Sequence, residues 1–414
     1  MKQRSKTNIL ILWNEVPSIY DTWTFRVFHL LKRSHNYGYN ITWISHDGID
    51  TSEHDRKELE KYCTYVEIID KPKHGKILLK RFFLTAINSI MSFKTLCKNK
   101  IVPTFFYSRT LQKEVDKMLS DNQYDLIYCS RAMMPYVIDV NLPKILEVED
   151  PVLYSSYQWY LREKRPLTKL WYWLRYHHYK LFEVPHYKKF NACILVSKVH
   201  EELFKTYLPP QSYVIPYGID LEFFKDTSIP EDTHTIIFTG SMKYSYNADA
   251  VCYFHNAIYP LIKLKMPDVK FFIVGRNPTK DVIALASDQS VTVTGFVDDV
   301  RPYFTMAALA VVPMKTDDGG FKNKILESMS MGKPVVSTSI GAKGIDVTHK
   351  VNIIIADNEQ EFADSVLELL TNRSMRLELG TNARKLMVEK YSWDSNTDKL
   401  AQAFNEVAGL KSNV

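Results

Sequence analysis

The residues best suited to chemistry lie in the segment 317–338, which reads DDGGFKNKILESMSMGKPVVST. Gly319 and Gly320 precede a helical pattern, and glycines at such a turn expose backbone N–H groups to a ligand. The positive end of the helix dipole adds to this, so the turn suits a diphosphate. We expect Asp317 or Asp318 to cap the helix.

Three charged side chains follow on the same helix. Lys322 and Lys324 would add positive charge beside a diphosphate, and Glu327 would accept hydrogen bonds from ribose hydroxyls. Lys324 and Glu327 are three residues apart and therefore share a face, away from the apolar stripe that Phe321 begins. A capped helix with a surface ion pair has the same pattern, and the segment alone favours neither interpretation.

A second segment, 238–260, places a glycine turn after another apolar run. Gly240 and Ser241 form the turn, and Lys243 lies where it would meet a phosphate. Turns at the carboxyl ends of parallel strands are where such sheets bind ligands. Taken alone, this segment favours an ordinary strand-to-helix loop.

Several other chemistries lack their motifs. The chain has no G-x-G-x-x-G after a strand, no P-loop, no H-E-x-x-H and no G-x-S-x-G, which disfavours dehydrogenases, P-loop kinases and common hydrolases. Its five cysteines form no C-x-x-C pair and no cluster with zinc spacing. We therefore expect a reduced, cytoplasmic chain without a metal site and without a membrane-spanning segment.

Short β-branched runs alternate with helix-length segments, which predicts an α/β fold with parallel sheets covered on both faces. The pattern restarts near residue 235, after a proline-rich stretch, 208–232, that reads as a linker. Eleven strands are predicted, at 9–13, 41–45, 125–129, 145–148, 192–196, 235–239, 270–274, 291–294, 309–312, 335–338 and 352–355.

Charge divides the chain in the same way. Its 414 residues carry a net charge of +6, but residues 1–200 hold 31 Lys and Arg against 20 Asp and Glu, whereas the remainder holds 22 against 27. A basic half and an acidic half indicate two domains with different partners.

Five motifs occur in order in the C-terminal half: VIPYGID (214–220), FTGSMKYSYN (238–247), FFIVGRNP (271–278), VTGFVDDVRPY (293–303) and GGFKNKILESMSMGKPVVST (319–338). Their order resembles that of the family-4, or group 1, retaining glycosyltransferases. Within that family the chain is most similar to bacterial-type enzymes of exopolysaccharide and cell-envelope assembly.

The resemblance implies the GT-B fold, in which two Rossmann-like domains face a cleft. It implies an acceptor domain at 1–207, a nucleotide-sugar domain at 208–392 and a C-terminal helix, 393–414, that returns to the first domain. It also implies sugar transfer with retention of configuration, with neither a metal nor a further cofactor. A glycan or a lipid-linked molecule would be the acceptor.

The resemblance also assigns residues. Glu327 matches the second glutamate of the E-x7-E motif, and Gly320 with Phe321 match the Gly-Phe between the two glutamates. The first glutamate would be Gly319, so its sugar-binding role would pass to Asp317 or Asp318. Lys243, Lys322 and Lys324, with Arg276 a weaker candidate, would neutralise the diphosphate, and Lys243 and Lys324 would assist catalysis.

The N-terminal half matches the family less closely. Arg26 agrees with a basic residue common in its first helix, and the frequent histidine of the family would fall near Ser130 and Arg131. Asp150, after the run ILEVE, matches an acid that related enzymes place in the cleft. These four residues are acceptor-site candidates and Asp150 is a catalytic candidate, although a solvent-facing loop carboxylate is the more common explanation of a residue such as Asp150.

Two segments of this half mix aromatic and basic residues. The segment 154–190 holds twelve aromatic residues among eight Lys and Arg, and 71–100 flanks an apolar run with lysines. Either segment could rest on the anionic inner face of the cytoplasmic membrane, or could pack on the sheet with a basic rim. The pattern of 154–190 favours packing on the sheet, and that of 71–100 favours neither. Nucleic-acid binding is disfavoured because no such signature accompanies them.

Two other functions remain open. The missing first glutamate fits a non-catalytic glycan-binding or scaffold protein that kept the fold. A sugar-nucleotide epimerase of the same fold would interconvert free nucleotide sugars without an acceptor.

Overall fold

The computed structural model describes residues 6–17, 25–48, 51–70, 108–149, 152–317 and 321–409. The chain comprises two compact units. The first combines Met1–Pro216 with Asn396–Val414, and the second is Tyr217–Ser395.

The described part of the first unit contains a sheet of seven parallel strands in the order β3-β2-β1-β4-β5-β6-β7. The runs predicted at 9–13, 41–45, 125–129, 145–148 and 192–196 all form strands of this sheet. β3 and β7 were not predicted, because both are edge strands without a run of buried apolar residues. The strands are β1 (Asn8–Trp13), β2 (Asn40–His46), β3 (Tyr65–Ile69), β4 (Leu126–Ser130), β5 (Lys144–Val148), β6 (Ala192–Leu195) and β7 (Gln211–Val214).

The predicted linker at 208–232 is therefore wrong in its first part. β7 lies within it and pairs with β6, from Ala192 opposite Gln211 to Leu195 opposite Val214. The prolines on either side of β7 fit an edge strand, which needs hydrogen bonds on one side only.

Helices flank this sheet. Among them, Ser52 and Asp55 form a capping box at the start of α2, and Ser108 caps α3. The helices are α1 (Phe25–Ser34), α2 (Glu53–Glu60), α3 (Arg109–Asp121), α4 (Val152–Arg162), α5 (Pro166–His178) and α6 (Lys198–Phe204), with single turns at His35–Tyr37, Arg131–Tyr136, Tyr179–Glu183 and Val184–Lys189.

The second unit has a sheet of six parallel strands in the order β10-β9-β8-β11-β12-β13. The strands are β8 (Asp232–Thr239), β9 (Lys270–Val274), β10 (Val291–Gly295), β11 (Ala307–Val312), β12 (Val335–Ser337) and β13 (Ile354–Ile355). All six residues of β11 are buried, as expected for a central strand covered on both faces. The six runs predicted here all contain strands, although the pairing at 352–355 is limited to two residues.

Helices of the second unit begin with α7 (Ser245–Tyr253), which continues through a wider turn, Phe254–Ile258, into α8 (Tyr259–Lys265). The others are α9 (Lys280–Ala284), α10 (Arg301–Met306), α11 (Asn323–Ser330), α12 (Glu359–Thr371), α13 (Arg373–Leu386) and α14 (Trp393–Val407), with turns at Leu285–Ser287 and Met387–Tyr391. Among the described residues, no helix is both long and apolar enough to cross a bilayer.

Helix α14 contributes to both units. From Asn396 onward it belongs to the first unit, where the Tyr39 hydroxyl bonds to Asn405 and the Phe404 ring packs against Tyr39 and Tyr128. Its first residue, Trp393, is buried in the second unit.

In each sheet the strand order reverses once, between β1 and β4 and between β8 and β11. Such a reversal opens a crevice at the carboxyl ends of the strands, because the two flanking connections leave in opposite directions. Each unit therefore presents a ligand-binding position at this edge.

The position of α11 depends on a contact between two glycines. Gly332 follows the end of α11 and has a φ of +68°. A Cβ atom on Gly380 of α13 would lie 2.0 Å from the Gly332 carbonyl oxygen. Only a helix residue without a side chain allows this approach.

We therefore expect Gly380→Ala to lower the free energy of unfolding by about 1–3 kcal/mol, the range of overpacking substitutions. Urea denaturation followed by circular dichroism measures this. Glu378→Ala, at an exposed position of the same helix, is the control and should change stability by no more than about 0.5 kcal/mol. Equal stability of the two variants would contradict the assigned contact.

Candidate functional site

The loops that follow β8 and β9 touch through their glycines. A Cβ atom on Gly275, whose φ is +150°, would lie 1.9 Å from the Gly240 carbonyl oxygen. The Gly240 amide donates to Val274 at 3.0 Å, and the Met242 amide donates to the Arg276 carbonyl at 3.0 Å. The two loops therefore form one backbone surface at the carboxyl edge of the sheet.

Lys324 of α11 is buried behind this surface. Its ammonium group donates to Asn247 Oδ1 and lies 4.0 Å from the centroid of the Phe238 ring. The Asn247 amide in turn donates to the Ser241 carbonyl oxygen at 2.9 Å. The two glycine-containing segments singled out by sequence thus meet at one place, with a buried cation between them.

Glu327 lies one turn further along α11 and is half-buried. Burial raises the pKa of its carboxyl group, while the Lys324 charge and the Thr239 hydroxyl oppose that rise. A carboxylate beside a buried ammonium group at the carboxyl end of β8 is placed to accept hydrogen bonds from hydroxyl groups of a ligand.

The other cations proposed for this site differ in exposure. Lys322 is buried and its ammonium group lies 5.2 Å from the centroid of the Tyr246 ring, whereas Lys243 and Arg276 are exposed. The buried Ser241 hydroxyl oxygen has no hydrogen-bond partner among the described residues. An unsatisfied hydroxyl on this loop suits a ligand that would supply the missing partner.

The predicted aspartate cap is wrong. Helix α11 begins at Asn323, and Lys322 occupies the capping position without a side-chain hydrogen bond. Asp317 instead forms a 2.6 Å ion pair with Lys343, since a full positive charge attracts its carboxylate more strongly than a peptide N–H does. Asp318, Gly319 and Gly320 lie outside the described residues.

Phe321 precedes the helix and is half-buried, with its ring centroid 5.5 Å from that of Tyr217. Ile325 and Met329 continue the apolar stripe that Phe321 begins, and both are fully buried. The helix ends at Ser330, two residues before Gly332.

Sequence reasoning did not select Asn247 or Lys343 as site residues. Asn247 is a buried polar residue among apolar positions of α7, and that contrast was the available signal. Lys343 lies in an irregular loop after β12, and nothing in its sequence context indicates that it pairs with Asp317.

In the first unit, Arg26 is completely buried at the carboxyl end of β5. Its guanidinium group forms a 2.9 Å ion pair with Glu147 and donates to the Pro216 carbonyl oxygen. The Tyr128 hydroxyl donates to the same Glu147 at 2.6 Å. These contacts hold the Arg26 side chain in place, so Arg26 mainly fixes the geometry at the carboxyl end of β5.

Ser130 is the last residue of β4, and its buried hydroxyl has no hydrogen-bond partner among the described residues. Arg131, which follows it, is held by Glu183 through two hydrogen bonds of 2.8 and 2.9 Å. Asp150 lies outside the described residues. Of the acceptor-site candidates that the structure describes, Ser130 is therefore the one whose side-chain oxygen has no hydrogen-bond partner among the described residues.

A family model described as "Glycosyl transferases group 1" matches residues 233–372. The matched residues, all within the second unit, are similar to group 1 glycosyltransferases. The match covers the loops after β8 and β9 and helix α11, and it confirms the resemblance carried by the four motifs between residues 238 and 338; the motif at 214–220 lies before the match.

Two curated proteins of similar sequence are also glycosyltransferases. An uncharacterised glycosyltransferase of Methanocaldococcus jannaschii is 23% identical over 309 residues, which cover 70% of this chain and 77% of the relative. A lipopolysaccharide core biosynthesis glycosyltransferase of Rhizobium meliloti is 31% identical over 157 residues, which cover 36% of this chain and 45% of the relative. The second match thus spans less than half of that relative's length.

Solved structures confirm the GT-B type of α/β fold with its two parallel sheets. Sucrose-phosphate synthase from Thermosynechococcus elongatus superposes with a TM-score of 0.65 at 14% identity and covers 98% of this chain and 100% of that one. Anabaena HepE in complex with UDP and glucose superposes with a TM-score of 0.62 at 14% identity, covering 96% of this chain and 99% of that one. At such identities the likeness establishes the fold.

The raised pKa of Glu327 makes stability depend on pH. An acid that binds its proton more tightly in the folded state than in the unfolded state stabilises the protein at low pH. For Glu327 this contribution is lost as the pH rises from the unfolded-state pKa of 4.5 through the higher folded-state pKa. Glu327→Gln lacks the titration, so its melting temperature relative to wild type should rise between about pH 4 and neutral pH. Differential scanning fluorimetry across this range checks it.

The matched control is Glu368→Gln, at an exposed position of α12, which should track the wild type at every pH. A melting-temperature difference for Glu327→Gln that stays constant with pH would contradict the assigned burial effect.

Proposed function

We propose that this protein transfers a sugar from a nucleotide-diphosphate sugar to a glycan or lipid-linked acceptor, with retention of configuration and without a metal ion. The observation that carries the proposal is the buried Lys324 ammonium group, which Asn247 holds behind the Gly240–Ser241 loop. A buried ammonium group behind a glycine-containing loop suits a diphosphate.

In this reaction the bond between the sugar C1 and the diphosphate oxygen breaks as the bond from the acceptor oxygen to C1 forms. The diphosphate gains negative charge as it leaves, and the acceptor hydroxyl loses its proton to the departing phosphate oxygen. Lys324, Lys243 and Lys322 stabilise the developing charge, and this stabilisation lowers the barrier. Among the described residues of the site no side chain is a convincing nucleophile, which favours this front-face route over a covalent intermediate.

Glu327 would hold the ribose of the donor, because its half-buried carboxylate accepts hydrogen bonds next to the diphosphate position. Gly319 stands where relatives are expected to carry the sugar-binding glutamate. Asp317 is the neighbouring acid among the described residues, and its pairing with Lys343 would orient it for the sugar hydroxyls. Asp318 is the second candidate for that role.

The first unit would bind the acceptor at the carboxyl edge of its sheet. The Ser130 hydroxyl, which has no hydrogen-bond partner among the described residues, would accept a hydrogen bond from a sugar hydroxyl or donate one to it. Arg26 and Arg131 would hold the surrounding strand ends in place. Asp150 would act as an acceptor-site acid on the loop after β5.

Synthesis of a surface glycan or glycoconjugate is supported by the kinds of relative that match the C-terminal half. They include a GDP-mannose-dependent phosphatidylinositol monomannoside mannosyltransferase of Mycobacterium tuberculosis, 27% identical over 156 residues covering 34% of this chain and 40% of that relative. A poly(ribitol-phosphate) N-acetylglucosaminyltransferase of Staphylococcus aureus is 28% identical over 151 residues, covering 35% of this chain and 31% of that relative.

A thermal-shift screen with UDP-, GDP- and other nucleotide sugars identifies the donor, because a ligand that binds only the folded state raises the melting temperature. Glu327→Ala should then weaken binding of that donor by about 10- to 100-fold, the loss expected for hydrogen bonds to a charged acceptor of about 1.5–3 kcal/mol. Glu368→Ala is the control and should bind as wild type does.

Transfer to an acceptor extract or a glycan panel completes this experiment. A protein that binds the donor but releases no nucleotide diphosphate with any acceptor would support the scaffold alternative. Interconversion of free nucleotide sugars without an acceptor would support the epimerase alternative. Either outcome would contradict the transferase proposal.

Lys243 is exposed on the loop after β8, where it would meet the diphosphate only when donor is bound. Lys243→Ala should reduce kcat/KM for transfer by about 10- to 100-fold, since one charged contact to a developing charge contributes a few kcal/mol. The same change should affect a nucleoside monophosphate much less, because it lacks the second phosphate. Lys350→Ala, an exposed lysine on a loop before β13, is the control; equal losses in both variants would contradict the role of Lys243.

A further inference from the structure

The most unusual surface of the first unit is formed by α4, α5 and the turn Tyr179–Glu183, here called the aromatic hairpin. Its two helices pack through rings, with Trp159 and Tyr172 centroids 5.4 Å apart and Tyr157 and Tyr176 centroids 5.1 Å apart. The inner side of α5 is therefore occupied by α4.

The other side of α5 is apolar and uncovered among the described residues. Leu167, Leu170 and Trp173 recur at intervals of three on one side of the helix, with exposed fractions of 72%, 47% and 41%. None of the 13 residues of α5 is buried, and Leu181 in the following turn is 57% exposed. This excludes the interpretation in which α5 packs fully on the sheet with only a basic rim in solvent.

Positive charge surrounds this apolar stripe. Residues 152–189 contain eight Lys and Arg but two Glu, and both glutamates are neutralised by partners, Glu163 by Arg165 and Glu183 by Arg131. The basic residues are Arg162, Lys164, Arg165, Lys169, Arg175, Lys180, Lys188 and Lys189.

Several of these cations are held over aromatic rings. The Arg175 guanidinium group lies 5.4 Å from the Trp159 ring and 5.2 Å from the Trp171 ring, and Lys180 lies 5.6 Å from the Tyr176 ring. The rings thereby keep the charges beside the hairpin rather than letting them extend freely into solvent.

We propose that the outer side of the aromatic hairpin lies on an anionic phospholipid bilayer. The exposed leucines would enter the region between headgroups and acyl chains, Trp173 would lie at headgroup level, and the flanking lysines would contact lipid phosphates. Charge complementarity selects this occupant, because one sign of charge along a whole apolar helix matches a surface of uniform negative charge.

The proposal deepens the proposed function but does not require it. A lipid-linked acceptor would be met at such a surface, so bilayer docking would bring the enzyme to its acceptor. Donor binding takes place in the second unit and should not depend on the hairpin, and this separates the two proposals experimentally.

Flotation of the full chain with vesicles tests the proposal. Binding is expected to vesicles of phosphatidylcholine with about a third phosphatidylglycerol, to be at least about tenfold weaker with phosphatidylcholine alone, and to fall between about 0.1 M and 0.5 M salt. Equal binding to both vesicles, or no binding to either, would overturn the proposal.

Two double variants separate the contributions. Lys164→Glu with Lys180→Glu should reduce binding to the anionic vesicles by at least about tenfold, as should Leu170→Ser with Trp173→Ser. At high salt the charge variant should bind as wild type does, because screening removes the electrostatic attraction from both, whereas the apolar variant should still bind more weakly than wild type.

Matched controls exclude general effects of charge or polarity. Lys113→Glu with Lys117→Glu makes the same charge change on exposed positions of α3, and Leu264→Ser with Ile283→Ser removes two exposed apolar side chains of the second unit. Both controls should bind vesicles like wild type. All variants should keep the donor-induced thermal shift, which also reports that they are folded.

A different occupant would give a different result. If Leu170→Ser with Trp173→Ser converts a dimer to a monomer in light scattering and leaves vesicle binding unchanged, the surface is a contact between two copies and the proposal fails. Failure of every nucleotide sugar to bind would instead count against the proposed function alone.

Discussion

The second unit depends on one backbone contact, between Gly240 and Gly275. A side chain at Gly275 would fall 1.9 Å from the Gly240 carbonyl oxygen, so only glycine lets the loops after β8 and β9 meet. Their meeting places the Ser241 carbonyl within reach of Asn247, and Asn247 in turn binds the ammonium group of Lys324. A chain of short contacts therefore links the edge of the sheet to the cation proposed to bind the donor.

Buried charge has a different role in each unit. In the first, Arg26 is paired with Glu147 and donates to a backbone carbonyl, so it holds a strand end in place. In the second, Lys324 is buried against a neutral amide and an aromatic ring, and Glu327 keeps a raised pKa beside it. An anionic ligand that interacts with both loops and the helix would add a favourable contact to the Lys324 charge.

Much of the fold could be predicted from sequence. Apolar runs at the central strands are buried on both faces, so the strands around β1 and β8 were found from composition and spacing alone. The edge strands β3 and β7 escaped detection because an edge needs no continuous apolar run, and β7 made part of the predicted linker wrong. Of the site, Lys324, Glu327 and Gly240 came from motifs, whereas Asn247 and Lys343 required coordinates, since their partners lie 77 and 26 residues away.

By itself, the sequence determined the two-sheet α/β architecture, the group 1 motifs and the excess of positive charge in the N-terminal half, because periodicity, glycine turns and composition are local properties. Only the tertiary structure decided which charges are buried and which side of an amphipathic helix is covered. It buried Lys324 behind a loop distant in sequence, paired Asp317 with Lys343 and left the leucines of α5 in solvent. Burial depends on what packs against a side chain, and packing partners come from residues far apart along the chain.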